Sequence, residues 1–109
     1  MQNFYTQNDL KKHELVPGVF LRTMWGDKIM MALIDIGPGA VVPLHTHPHE
    51  QCGRVLSGSF HLTIAGETRL LREGDHYVIP GGVLHAARGT DHPSLALDIF
   101  SPPRDEYKF

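Results

Sequence analysis

Apolar and β-branched residues come in short runs along the chain, and no stretch holds a 3.6-residue period long enough for a long amphipathic helix. Residues 19–24 and 29–36 are rich in such residues and are separated by Trp25-Gly26-Asp27-Lys28, a turn signature, so the two read as a hairpin. Further strands are predicted over 41–47, 54–56, 60–64, 67–71, 77–79, 85–88 and 95–100. Gly37-Pro38-Gly39, Ser57-Gly58-Ser59, Ala65-Gly66, Glu73-Gly74-Asp75 and Pro80-Gly81-Gly82 punctuate them, and Ser101-Pro102-Pro103 ends the pattern. Short strands at intervals of roughly eight to twelve residues favour an all-β sandwich or barrel of the jelly-roll type. Residues 1–15 are polar with little periodicity and read as an N-terminal arm with a short helical turn near 8–13, leaving 16–109 as the barrel domain.

The chain has 109 residues, enough for one core and one domain. A net charge of −2 with scattered lysines and arginines offers no basic face for nucleic acid. Cys52 is the only cysteine, which excludes an intrachain disulfide, and it reads as a small buried hydrophobe. The apolar runs are far too short to span a bilayer, and the N-terminus lacks a basic start followed by an apolar stretch. A soluble cytoplasmic protein is expected.

The chemistry concentrates in residues 39–58, GAVVPLHTHPHEQCGRVLSG. Alternate side chains of a strand share a face, so His45 and His47 can bring two ring nitrogens to one ion, and Gln51 has the same parity. His85, after the Pro80-Gly81-Gly82 turn, is a fourth candidate ligand from a segment remote in sequence. His49 shares the parity and is the rival for Gln51, but Pro48 breaks the alternation, so His49 is expected to face away or to sit beside a ligand. Glu50 is expected to face solvent or an arginine. His13, His61, His76 and His92 fall outside any ligand spacing. Gly39, Gly58, Gly74 and Gly82 read as barrel corners, and Phe60 and Tyr77 as core packing.

The pattern Gly39, five residues, His45-x-His47, three residues, Gln51, six residues, Gly58 resembles the first motif of the cupins, in which the position of Gln51 usually holds Glu. Gly74, five residues, Pro80-x-Gly82, two residues, His85 resembles the second, with Gly89 where Asn is common. The resemblance implies a single-domain cupin jelly-roll β-barrel around a divalent metal ion, with nickel, zinc, iron and manganese all open. A neutral amide at position 51 leaves the ion about one charge more positive than a carboxylate would.

In the C-terminal segment LALDIFSPPRDEY, Asp98 and Phe100 share strand parity. If Phe100 faces inward so does Asp98, and an inward Asp is costly unless it is paired or does chemistry. HTHPHEQ together with this segment resembles the small pectin-degradation cupins of the KdgF type. That resemblance places metal ligation on His45, His47, Gln51 and His85, and catalytic roles on Asp98, Phe100 and Arg104. It implies ring opening of 4,5-unsaturated monouronates, released from pectin or alginate, to linear 4-deoxy-5-keto-uronates, with a sugar acid as the small-molecule partner. An iron-dependent dioxygenase, a non-catalytic sugar-binding module and another sugar isomerase are the alternatives, since cupin barrels carry many activities. A barrel this small has edges to protect, and an arm crossing to a second subunit would cover them, so a homodimer is expected.

Overall fold

The computed structural model describes residues 2–109; Met1, the first residue of the expected arm, lies outside the described residues. Among the described residues ten strands follow one another: β1 (His13–Val16), β2 (Val19–Trp25), β3 (Met30–Ile36), β4 (Val41–His45), β5 (Glu50–Ser57), β6 (Ser59–Ile64), β7 (Glu67–Arg72), β8 (His76–Ile79), β9 (His85–Gly89) and β10 (Ser94–Ser101). They form two antiparallel sheets, one ordered β1-β2-β3-β10-β5-β8 and the other β4-β9-β6-β7. The sheets face each other as a jelly roll without closing into a continuously hydrogen-bonded barrel. Among the described residues no helix is long and apolar enough to cross a membrane.

The predicted hairpin is β2 and β3, paired from Val19 against Ile36 to Trp25 against Met30, and Gly26 N–H closes the turn on the Ile29 carbonyl. The helical turn expected near 8–13 is a single 3-10 turn at Gln7–Asp9. Beyond it the chain becomes extended, because His13–Val16 pairs with β2 of the same chain and His13 stacks on Phe109 at 3.8 Å. Gly39, Gly58, Gly74 and Gly82 all have positive φ, between 67° and 90°, as corners of this kind require.

Alternation sets what the sheets enclose. At one end Val19, Ile36, Val55 and Ala96 of the large sheet pack against Phe60 and Leu62 of the small one. At the other, Leu21, Met30, Ala32, Phe100 and Tyr107 form a second cluster. Along β10 the buried positions are Ser94, Ala96, Asp98 and Phe100, so one carboxylate stands among apolar neighbours on the inner face. Cys52, expected to be buried, is exposed: Gln51, Gly53 and Val55 take the inward positions of β5, which turns residue 52 outward.

Candidate metal centre and catalytic pocket

His45 ends β4 and lies directly opposite His85, the first residue of β9, with ring centroids 4.1 Å apart. The expected strand over 41–47 stops here. Residues 46–49 carry the chain from the small sheet to the large one, and Pro48 supports the break. His47 therefore points inward from a crossover, and Gln51 faces it from the opposite sheet. The Pro80-Gly81-Gly82 corner packs on this crossover: Gly82 N–H donates to the His47 carbonyl at 2.8 Å, and a Cβ on Gly81 would strike the Pro48 carbonyl oxygen.

One ring nitrogen from each of His45, His47 and His85 lies within 4.8 Å of the others. The other nitrogens are committed. His45 Nδ1 meets the Pro43 carbonyl at 2.8 Å, His85 Nδ1 the Val83 carbonyl at 2.8 Å, and His47 Nδ1 the His49 carbonyl at 3.1 Å. A carbonyl only accepts, so Nδ1 is the donor of His45 and of His85 in these contacts, whereas His47 has an acceptor at each ring nitrogen. His85 Nε2 is buried with no hydrogen-bond partner, and His47 Nε2 faces a second acceptor, Gln51 Oε1, at 3.1 Å. Burial, then the charge of Arg104 and His85, lowers the His47 pKa to about 4, so at neutral pH the ring has one proton for two acceptors. Burial likewise lowers His85. Three imidazoles with ring nitrogens this close form a donor set for a divalent transition-metal ion, and these three histidines could hold one.

His49 is not part of that cluster, its ring lies 5.5 Å from that of His47, and its carbonyl orients His47. Glu50 is exposed.

Asp98 lies beside Gln51. Its Oδ2 accepts from Gln51 Nε2 at 2.8 Å and its Oδ1 accepts from the Tyr77 hydroxyl. Burial raises the Asp98 pKa to about 6, against the opposing pull of the Tyr77 and Gln51 donors and the charge of Arg104. Burial and then the neighbouring carboxylate push the Tyr77 hydroxyl up, so it stays protonated and donates. Gly53 pairs with Asp98 on one side and Tyr77 on the other, and a Cβ there would collide with both side chains. Tyr77, read as core packing, thus also holds Asp98. The inward Asp called for a partner, but only the β5–β8 register says which.

Arg104 follows β10 with its side chain 11% exposed. Its Nε donates to Glu106 Oε1 at 2.6 Å, and its guanidinium lies 4.0 Å from the Tyr107 ring centroid and 5.3 Å from that of Phe100. Glu106 and Tyr107 carried no signal in the sequence beyond their nearness to Arg104. Phe100 is 2% exposed and reaches the site as its floor, 5.8 Å from the His47 ring. His45, Gln51, His85, Asp98, Phe100 and Arg104 all line one cavity between the sheets.

The cupin domain family matches residues 32–100. The pectin degradation protein KdgF of Dickeya dadantii is 30% identical over 109 residues, covering 98% of this chain and 99% of that protein. The structure of KdgF from Halomonas sp. superposes with a TM-score of 0.89 at 30% identity, over 97% of this chain and 98% of that one. An RmlC-like cupin from Shewanella frigidimarina gives a TM-score of 0.91 at 25% identity, over 98% and 96%. Motifs, jelly roll and similarity to KdgF along nearly the whole chain agree, and the chain belongs to the cupin family.

Proposed function

We propose that this chain is a metal-dependent isomerase that opens the ring of 4,5-unsaturated monouronates, the sugar acids that lyases release from pectin or alginate. The observation that carries the reading is the placement of a buried carboxylate, Asp98, and a fixed guanidinium, Arg104, in the cavity lined by His45 and His85, whose rings converge with that of His47. The full-length similarity to KdgF, a pectin degradation protein, supports it.

The reaction needs no electron acceptor. The substrate is a cyclic enol ether: the C1 hydroxyl loses its proton, the bond from C1 to the ring oxygen breaks, and C1 becomes an aldehyde. The released oxygen remains on C5 as an enolate, and delivery to C4 of the proton taken from the C1 hydroxyl makes it a ketone. A divalent ion, nickel, zinc, iron or manganese, would be held by His45, His47 and His85 with Gln51 Oε1, and supplies Lewis acidity toward the substrate oxygens. Asp98 carries the proton: as a buried carboxylate raised to about 6, it is suited both to accept and to return one near neutrality. Arg104 keeps its terminal amino groups for the uronate carboxylate, since Glu106 occupies Nε. Phe100 supports the guanidinium from below and closes the cavity floor.

The test is to supply the purified protein with an unsaturated monouronate prepared by lyase digestion and to follow the loss of double-bond absorbance with and without a chelator. Chelator-sensitive loss above the spontaneous rate is expected. No acceleration by the metal-loaded protein overturns the reading, and oxygen uptake by the iron-loaded form would then favour a dioxygenase.

A further inference from the structure

Four side chains form one continuous line through the protein: Tyr77 hydroxyl to Asp98 Oδ1, Asp98 Oδ2 to Gln51 Nε2, and Gln51 Oε1 to the Nε2 of His47. An amide has one accepting and one donating end, and only the oxygen is a useful ligand for a cation. Which end faces the imidazoles depends on what holds the other. A carboxylate accepts only, so Asp98 draws the amide nitrogen to itself and turns the oxygen toward His47. Asp98 can do this only while its own carboxylate stays in place.

Tyr77 keeps it there. Its hydroxyl is the donor on Oδ1, it sits across β5 from Asp98, and the residue between them is Gly53, the one position on that row where a side chain would fill the space the contact occupies. The next inward residues of β5 on either side are Gln51 and Val55. With Tyr77 and Gln51 both in place, each carboxylate oxygen has a fixed donor and the plane of the group is set.

We propose that Tyr77 is a positioning residue which, through Asp98, fixes the amide of Gln51 with its oxygen toward the three histidines, and that Gly53 is small in order to let this contact form. The inference rests on the reading of the three histidines as a metal centre, with Gln51 completing it. Partners that orient a metal ligand from outside commonly contribute about 10- to 100-fold to metal affinity.

Two readouts that need no sugar substrate test it. In Tyr77→Phe, which keeps the ring and loses only the hydroxyl, zinc affinity measured by competition with a chromophoric chelator is expected to fall about tenfold or more. In the metal-free protein, the side-chain amide resonances of Gln51, assigned with Gln51→Glu, are expected to shift and to exchange faster with solvent in Tyr77→Phe. Gly53→Ala is expected to reproduce both changes, and melting temperatures report whether either variant has lost its fold. Wild-type zinc affinity in Tyr77→Phe overturns the proposal. If the wild-type protein binds no zinc, the metal reading falls separately, and unchanged Gln51 amide resonances in Tyr77→Phe overturn the positioning role. A failure of ring opening shows up independently, as absent turnover by zinc-binding wild-type protein.

Discussion

Nε2 of His47 and Oε1 of Gln51 lie 3.1 Å apart, and His47 has a single proton to divide between that oxygen and the carbonyl of His49. Whichever nitrogen carries it, one acceptor is left facing another. A cation at the convergence of the imidazoles converts that repulsion into ligation.

Metal is therefore expected to stabilise the fold. Zinc at about 100 times its Kd contributes about 2.7 kcal/mol, which for a chain of this size raises Tm by roughly 10–20 °C. Differential scanning calorimetry with and without a chelator measures this. His85→Ala is expected to abolish the shift, and an equal shift in that variant would remove His85 from the site.

Asp98→Asn keeps the size and planarity of the side chain and removes its capacity to carry a proton. A loss of roughly 10²- to 10⁴-fold in kcat is expected with little change in Tm. Full turnover in the variant, read by uronate absorbance, would take Asp98 out of the mechanism.

Arg104→Lys keeps the charge and loses both the planar contact with Phe100 and Tyr107 and the fork that matches a carboxylate. KM for the uronate is expected to rise about tenfold, equivalent to about 1.4 kcal/mol, with a smaller effect on kcat. Steady-state kinetics at saturating zinc separate the two.

Phe100 belongs to both the core and the site. Phe100→Ala is expected to cost roughly 3–5 kcal/mol in a denaturant titration, whereas Phe100→Leu fills most of the space and is expected to cost far less while still disturbing the contact with Arg104. Equal stability of the two variants would contradict the packing described for this residue.

Much of this is legible in the sequence, in part for reasons that only the strand boundaries reveal. His45, His47, Gln51 and His85 do meet, but the first three do not share one strand: Pro48 ends the alternation, and the chain changes sheets before Gln51 turns inward. The parity of Asp98 with Phe100 held, because β10 is a regular central strand paired on both sides, with one register irregularity only at its start. Tyr77 was not legible as a partner of Asp98. The two are 21 residues apart in sequence and become neighbours only through a third strand, and the glycine that makes room for them looks like any other interruption. Cys52 is exposed, not buried as its apolar character suggests, because strand alternation, set by the inward positions of Gln51 and Val55, decides its face.

The hydrogen bond from Gly82 to the carbonyl of His47 ties the two histidine-bearing segments together through backbone atoms alone. Neither segment depends on an ion to find the other, and each ring is already oriented by its own carbonyl. Scaffold and electrostatics are thus separable here: exchanging amide for carboxylate at residue 51 would change the charge presented to an ion and remove the donor to Asp98, while the backbone that presents the imidazoles keeps its own hydrogen bonds. A preassembled socket of this kind can change its preferred metal, or its chemistry, by a single substitution.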